Sequence, residues 1–222
     1  MKQLRLLGLT LLLSISFEIG MRAVEDALRF NHLLEPTSES EGGLALFVSI
    51  LLATSLLDLA LASIRLIATA VATGALASSP ANWQSLNLLL IETVRSLSAI
   101  IVRLPLLLLP ALAEWFRLLS IPFVVLFDQS YRSGNIDALK ASRRFTREHY
   151  KLVLLASLTM AVPTVFDWIL EAMTELSQID SLPIWTAPAQ HIGSCVFFGA
   201  LKFAVDAFLI WIYRRRFVEI AT

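Results

Sequence analysis

The sequence predicts an all-α, polytopic membrane protein. It is expected to form six transmembrane helices, with a basic amphipathic interfacial helix between spans four and five. Three observations carry this. Hydrophobic residues make up 57% of the 222 positions and charged residues 16%, with a mean hydropathy of +0.72; soluble domains run at about 45–50% apolar and about 25% charged. Apolar runs of roughly 17 to 30 residues recur, and a helical bilayer crossing needs about 20. Lys and Arg crowd some connections and are missing from others, which is how orientation in a membrane is encoded. A soluble helical bundle, the alternative, has too small an interior for such runs. The length suits a single transmembrane domain, 1–222.

The first span covers 4–20. Lys2 and Arg5 ahead of an apolar stretch resemble a signal peptide, but Ser16-Phe17-Glu18-Ile19-Gly20 is a poor cleavage site. The helical pattern also continues through Met21, Val24 and Leu28, so the segment is read as a retained span. The acidic stretch 35–43 carries no Lys or Arg. Span two, 44–73, is long for a bilayer at about 1.5 Å per residue and is expected to tilt or protrude. Asn82 can cap the next helix, which becomes span three, 91–109, with Glu92, Arg95, Ser96 and Arg103 on one face. Pro105 and Pro110 should end or kink it, because proline lacks an amide donor and crowds the preceding turn. Span four, 111–127, contains Glu114, Arg117 and Pro122. One kinked helix over 96–127 is the alternative to this hairpin.

Charge decides between them. The Tyr131–Lys151 connection holds Arg132, Lys140, Arg143, Arg144, Arg147 and Lys151, and Arg214–Arg216 form a second basic cluster. The 35–43 and 173–190 segments hold no basic residue. Positive connections stay cytoplasmic. With both termini inside, the number of crossings is even, and six fits where five does not. Span five, 152–172, includes Pro163, with Asp167 and Glu171 near its outer end. Pro183, Trp185 and Pro188 suit an interfacial anchor. Span six, 191–213, offers Gly193, Ser194 and Gly199 for close packing and ends on Trp211 and Tyr213, as an aromatic belt would.

In the basic helix, Lys140, Arg144, Arg147 and Lys151 recur at intervals of four, three and four, so they share one face. Phe145 and Ala138 project from the other. These four cations are the expected contacts to anionic lipid headgroups; a solvated loop helix is the bland alternative.

Charges also fall inside the spans: Asp58, Arg65, Arg103, Glu114, Arg117, Lys202 and Asp206. A charge at the bilayer centre costs about 2.5–3.5 kcal/mol on insertion scales, so it faces the bundle interior and pairs. One reading is a polar pathway or headgroup cleft. The other is a set of structural ion pairs: Lys202 with Asp206, Glu114 with Arg117, and Asp58 with a basic residue from another span. Arg103, with no acid within a turn, is expected to face Asp58 or a lipid phosphate.

Catalytic constellations are poor. His32, His149 and His191 are isolated, with no metal-ligand spacing. Ser194 next to Cys195 lacks a nucleophile-elbow frame. Asp167 and Glu171 lie one turn apart without a third ligand. No phosphate-cradling glycine loop exists, and the single Cys195 excludes an intrachain disulfide. No cofactor and no metal are expected. The formal net charge is zero, so nothing points to nucleic acid.

An apolar run ending near a proline is followed by Pro122-Phe-Val-Val-Leu-Phe127, a small turn around Gly134, Asp137-Ala-Leu-Lys-Ala-Ser142, a basic helix and another apolar span. This block, 97–170, resembles a bacterial family of six-helix integral membrane proteins that includes the membrane domain attached to glycerophosphodiester phosphodiesterases. The resemblance implies six helices and an inner-membrane location. It implies no phosphodiesterase activity, since that chemistry belongs to a separate barrel domain which 222 residues of membrane helix leave no room for. The N-terminal third and Asp128 depart from the pattern.

The expected function is therefore non-enzymatic: a scaffold or subunit of a membrane assembly, or an accessory factor in envelope lipid homeostasis. Its partners would be membrane lipids, anionic headgroups and other membrane subunits. A small transporter or lipid-handling protein using the buried charges is the alternative, and an intramembrane enzyme lacks a catalytic set.

Overall fold

The computed structural model describes residues 2–30, 41–76, 82–101, 108–177 and 186–221. Among them the chain is helical, without strands. The helices are α1 (Lys2–Phe30), α2 (Glu41–Ala72), α3 (Asn82–Ile101), α4 (Leu108–Leu118), α5 (Ile121–Phe127), α6 (Gln129–Arg132), α7 (Ala138–Glu148), α8 (Tyr150–Ser177) and α9 (Thr186–Ala221). Four of the described helices are long and apolar enough to cross a membrane, over Gln3–Glu25, Ala53–Ala72, Tyr150–Leu170 and Ile192–Phe217. Each segment has at least 20 residues, which at about 1.5 Å per residue matches a hydrocarbon core of about 30 Å.

Burial runs opposite to that of a water-soluble protein. Leu4, Leu9, Leu12, Leu158, Trp168, Ile192 and Trp211 are exposed, whereas Ser14, Glu18, Ser63, Thr69 and Asp206 are buried. In water, so many large exposed apolar side chains would drive aggregation; in lipid they face their own kind. Hydroxyls inside these helices donate back to the preceding turn, as Thr10 does to the Leu6 carbonyl (2.8 Å), Ser63 to Leu59 (2.8 Å) and Thr159 to Leu155 (2.8 Å). A polar group without water must find such a partner.

The chain divides into two compact units: 1–72 with 179–204, and 73–178 with 205–222. In the first, α1 packs along α2. The first half of α9 approaches α1 so closely that a Cβ on Gly199 would lie 2.6 Å from the Ile15 Cα. Ser14 Oγ donates to the Gly199 carbonyl at 2.7 Å. The small face expected at Gly199 is thus where two backbones meet.

In the second unit, α3 packs on α4 and α5, and α7 packs on α4, α5 and α8. The core lies around α5, whose Ile121, Phe123, Val124, Val125 and Leu126 are all buried. Tyr213, from the second half of α9, stacks on Phe123 with ring centres 4.0 Å apart, and Phe145 of α7 lies 5.4 Å from it.

The expected fourth span, 111–127, is two helices broken at Leu119 and Ser120. Pro122 sits in the first turn of α5, where its missing amide would lack a helical partner anyway. The Ser120 carbonyl accepts from the Phe123 and Val124 amides at 3.1 and 3.0 Å, and Ser120 Oγ lies 3.3 Å from Tyr213 Oη. The break is therefore satisfied from within. The connection at 102–107, including Arg103 and Pro105, lies outside the described residues, as do His32, the 35–40 part of the acidic stretch, and Pro183 and Trp185.

The turn into α7 follows its sequence closely. Asp128 ends α5 and caps α6, its side chain accepting the Ser130 amide at 2.8 Å. Gly134 adopts φ +76°. The Asn135 amide reaches the Ser130 carbonyl (3.0 Å) and the Gly134 amide the Tyr131 carbonyl (2.9 Å). This is a Schellman closure, which favours glycine at the left-handed position.

Candidate functional site

The candidate site is α7 with the charges that hold it. α7 buries Ala138, Ala141, Ser142, Phe145 and Thr146. Lys140, Arg144 and Arg147 are exposed on the other side, and Lys151, the second residue of α8, is exposed too. Arg144 Nε pairs with Glu148 at 3.0 Å, both at the surface.

Three contacts fasten α7 to α4. α4 ends at Leu118, so the carbonyls of its last turn lack helical donors. Ser142 Oγ and Thr146 Oγ1 both donate to the Arg117 carbonyl, at 2.8 and 3.1 Å. Glu114, whose side chain is 1% exposed, accepts from Arg143 Nε at 2.9 Å and also from a terminal nitrogen of the same guanidinium. Arg117 Nη1 stands 3.7 Å from the other Glu114 oxygen. A carboxylate this buried stays charged only beside such partners.

A second network ties α3 to the turn before α7. Arg95 Nη1 donates to Asp137 Oδ1 at 2.6 Å and lies 3.5 Å from Glu92 Oε2. Asp137 stands at the N-cap of α7 but makes no side-chain cap there, because that carboxylate is given to Arg95. Tyr131 Oη donates to buried Glu92 at 3.4 Å. Burial first, and then the Glu92 charge, push the Tyr131 phenol above its ordinary value of 10.0. Its neutral form is thus favoured by folding. The stability this contact contributes is full below about pH 10 and is lost as pH rises through the raised value. An alkaline melting series is expected to show this added loss in the native chain and not in Tyr131→Phe; equal alkaline slopes would refute it.

In the first unit, Glu18 accepts from Lys202 Nζ at 2.6 Å and Arg22 Nε at 3.2 Å. Arg22 also stands 5.0 Å above the Phe198 ring.

The structure brings some predicted residues together and not others. Glu114 and Arg117 pair as expected. Lys202 meets Glu18 of α1, whereas the spacing along α9 predicts Asp206 as its partner. Asp206 is buried and engaged, and Arg65 is half-buried and engaged. Asp58 is exposed on α2. Arg103 lies outside the described residues. Sequence reasoning missed Arg143 as the chief partner of Glu114, and Asp137 as the partner of Arg95. Glu18 and Arg22 were legible in principle, being opposite charges four apart at the end of an apolar run.

The Nε2 atom of His149 is buried without a hydrogen-bond partner among the described residues, at the residue that turns α7 into α8. Among the described residues no three His, Cys, Asp or Glu side chains gather in a way that could hold a metal. No protein-family model, curated protein or solved structure matches the chain.

Proposed function

We propose that this chain is a non-enzymatic integral membrane protein whose α7 lies at the headgroup level of the cytoplasmic leaflet. There it acts as a scaffold or subunit of a membrane assembly, or as an accessory factor in envelope lipid homeostasis. The observation that carries this reading is the docking of α7. Its apolar and hydroxyl side is fastened to α4 and α5, and Lys140, Arg144, Arg147 and Lys151 are left outward. Cations so placed each add about 1 kcal/mol of attraction to an anionic leaflet.

The structural reading of the buried charges is favoured over a transport pathway, since Glu18, Glu92 and Glu114 all have basic or hydroxyl partners. The transporter reading draws on Asp58, a carboxylate exposed on an apolar helix. The placement in a bacterial inner membrane rests on the resemblance of the 97–170 block.

Six crossings are proposed: α1, α2, α8 and α9, with α3 and the broken α4–α5 as the hairpin between. α3 presents Leu88, Ile91, Val94 and Leu97 along one exposed face, which suits lipid. The α4–α5 break is buried in protein, a setting in which non-helical backbone is tolerated at membrane depth. This arrangement keeps both basic clusters cytoplasmic.

Single cysteines in a Cys195→Ser background test it. Ser133→Cys is expected to react only from the cytoplasmic side, and Ser38→Cys and Leu106→Cys only from outside. Outside labelling of Ser133→Cys would overturn the orientation. Cytoplasmic labelling of Leu106→Cys would reduce the crossings to four. Co-purification in mild detergent then distinguishes the roles: a stoichiometric protein partner supports a subunit, and retained lipid alone supports lipid homeostasis.

A further inference from the structure

We infer that the cleft between α5–α6, α7 and the end of α9 binds one monoanionic phospholipid by its phosphate; this rests on the placement of α7 at the headgroup level. The cleft has a volume of about 660 Å³. Its apolar wall includes Leu126, Phe145 and Phe217, and its polar rim is Asp128, Arg132, Arg144, Glu148 and Arg214. Phe145 and Phe217 stack with ring centres 4.8 Å apart, giving a rigid apolar surface.

The rim charges are not all spent on one another. Glu148 is taken by Arg144 at 3.0 Å, and Asp128 is partly occupied as the α6 cap. Arg132 and Arg214, from helices far apart in sequence, line the same cleft and form no ion pair with another described residue. Two guanidinium groups against one remaining carboxylate leave one positive charge. A planar fork of N–H donors suits phosphate oxygens. A monoanionic phosphodiester balances that charge, whereas a zwitterionic headgroup would leave it unbalanced.

The apolar wall argues for a lipid over a free phosphate. So does depth: Arg214 stands in the last turns of the Ile192–Phe217 crossing, where headgroups lie. The spacing of Lys140, Arg144, Arg147 and Lys151 assigns general headgroup contact to the outward stripe; the cleft adds a site of one-to-one stoichiometry beside it, made by Arg132 and Arg214.

The test uses the full chain, reconstituted in nanodiscs of phosphatidylcholine with a minor fraction of phosphatidylglycerol. Lipid retained after transfer to mild detergent is counted by native mass spectrometry. One phosphatidylglycerol per chain is expected to persist. Arg132→Gln with Arg214→Gln is expected to reduce its retention about tenfold or more, while Arg132→Lys with Arg214→Lys keeps most of it. Lys140→Gln with Lys151→Gln should leave that single lipid in place and lower only the general enrichment of phosphatidylglycerol around the chain. Undiminished retention in the glutamine pair would overturn the inference, as would retention of one phosphatidylcholine in place of the phosphatidylglycerol, or displacement of the lipid by millimolar glycerol 3-phosphate. If general enrichment is unchanged in the Lys140/Lys151 variant, the interfacial placement of α7 fails separately. Should the glutamine pair not fold, Arg132→Gln and Arg214→Gln singly, each with the lysine control, carry the comparison.

Discussion

Arg143→Met is expected to destabilise the chain by about 3 kcal/mol, more than Glu114→Gln does. The asymmetry follows from where each charge sits. Glu114 is 1% exposed and Arg143 is 38% exposed. Removing the arginine takes both guanidinium hydrogen bonds from a carboxylate inside the protein, while Arg117 stays 3.7 Å from it. Orphaning a buried charge costs about 3–5 kcal/mol, and the remaining Arg117 places this case at the low end. Removing the carboxylate charge instead frees a guanidinium that can turn toward water, so Glu114→Gln should cost about 1–2 kcal/mol for the lost charge-assisted bonds. The double variant Glu114→Met with Arg143→Met should recover most of the loss, because a buried pair replaced by apolar side chains of similar volume is often neutral or better. Melting temperatures of detergent-solubilised protein, followed by size-exclusion recovery, read all three. A double variant as unstable as Arg143→Met would show that the site needs charge for something besides cancelling charge.

Gly199→Leu is expected to separate α1 from α9 and cost more than about 3 kcal/mol, and Gly199→Ala about 1–3 kcal/mol, the range for overpacking. A Cβ at this position would sit 2.6 Å from the Ile15 Cα and 2.9 Å from its amide nitrogen. Backbone cannot swing aside as a flexible side chain can. The same displacement would pull Ser14 from the Gly199 carbonyl and Glu18 from Lys202, contacts of 2.7 and 2.6 Å. Gly8, Gly20 and Gly193 are the internal controls. A Cβ at any of them meets nothing within 4 Å, so alanine there should be neutral or stabilising by up to about 1 kcal/mol through helix propensity. If Gly199→Ala behaved like these three, the close approach of the helices would be refuted.

Lys140, Arg144 and Arg147 fall on the exposed side of α7 as their spacing predicts, because a helix repeats every 3.6 residues whatever it packs against, whereas Lys151 belongs to α8, beyond the break at His149. Gly134 was readable as a turn for a similar reason, the left-handed conformation being cheap for few residues. The break at Ser120 was not. Pro122 signals a bend, but a bend and a break differ only in whether the freed backbone groups find partners, and those partners include the Ser142 and Thr146 hydroxyls on the Arg117 carbonyl, 25 and 29 positions away. The pairing of Lys202 with Asp206 was expected from their spacing. Glu18, 184 positions from Lys202, carries no mark of its partner in the sequence.

Composition and the segregation of charge by themselves determined that this chain is helical and built for a membrane, because hydrocarbon selects for apolar length and local periodicity, and both are properties of contiguous residues. Only the tertiary structure decided that Arg143 answers Glu114, that Asp137 serves Arg95 instead of capping its own helix, and that Arg132, Arg144 and Arg214 share one cleft. Electrostatic partners are chosen by distance in space after the helices pack, and a linear chain does not record that distance.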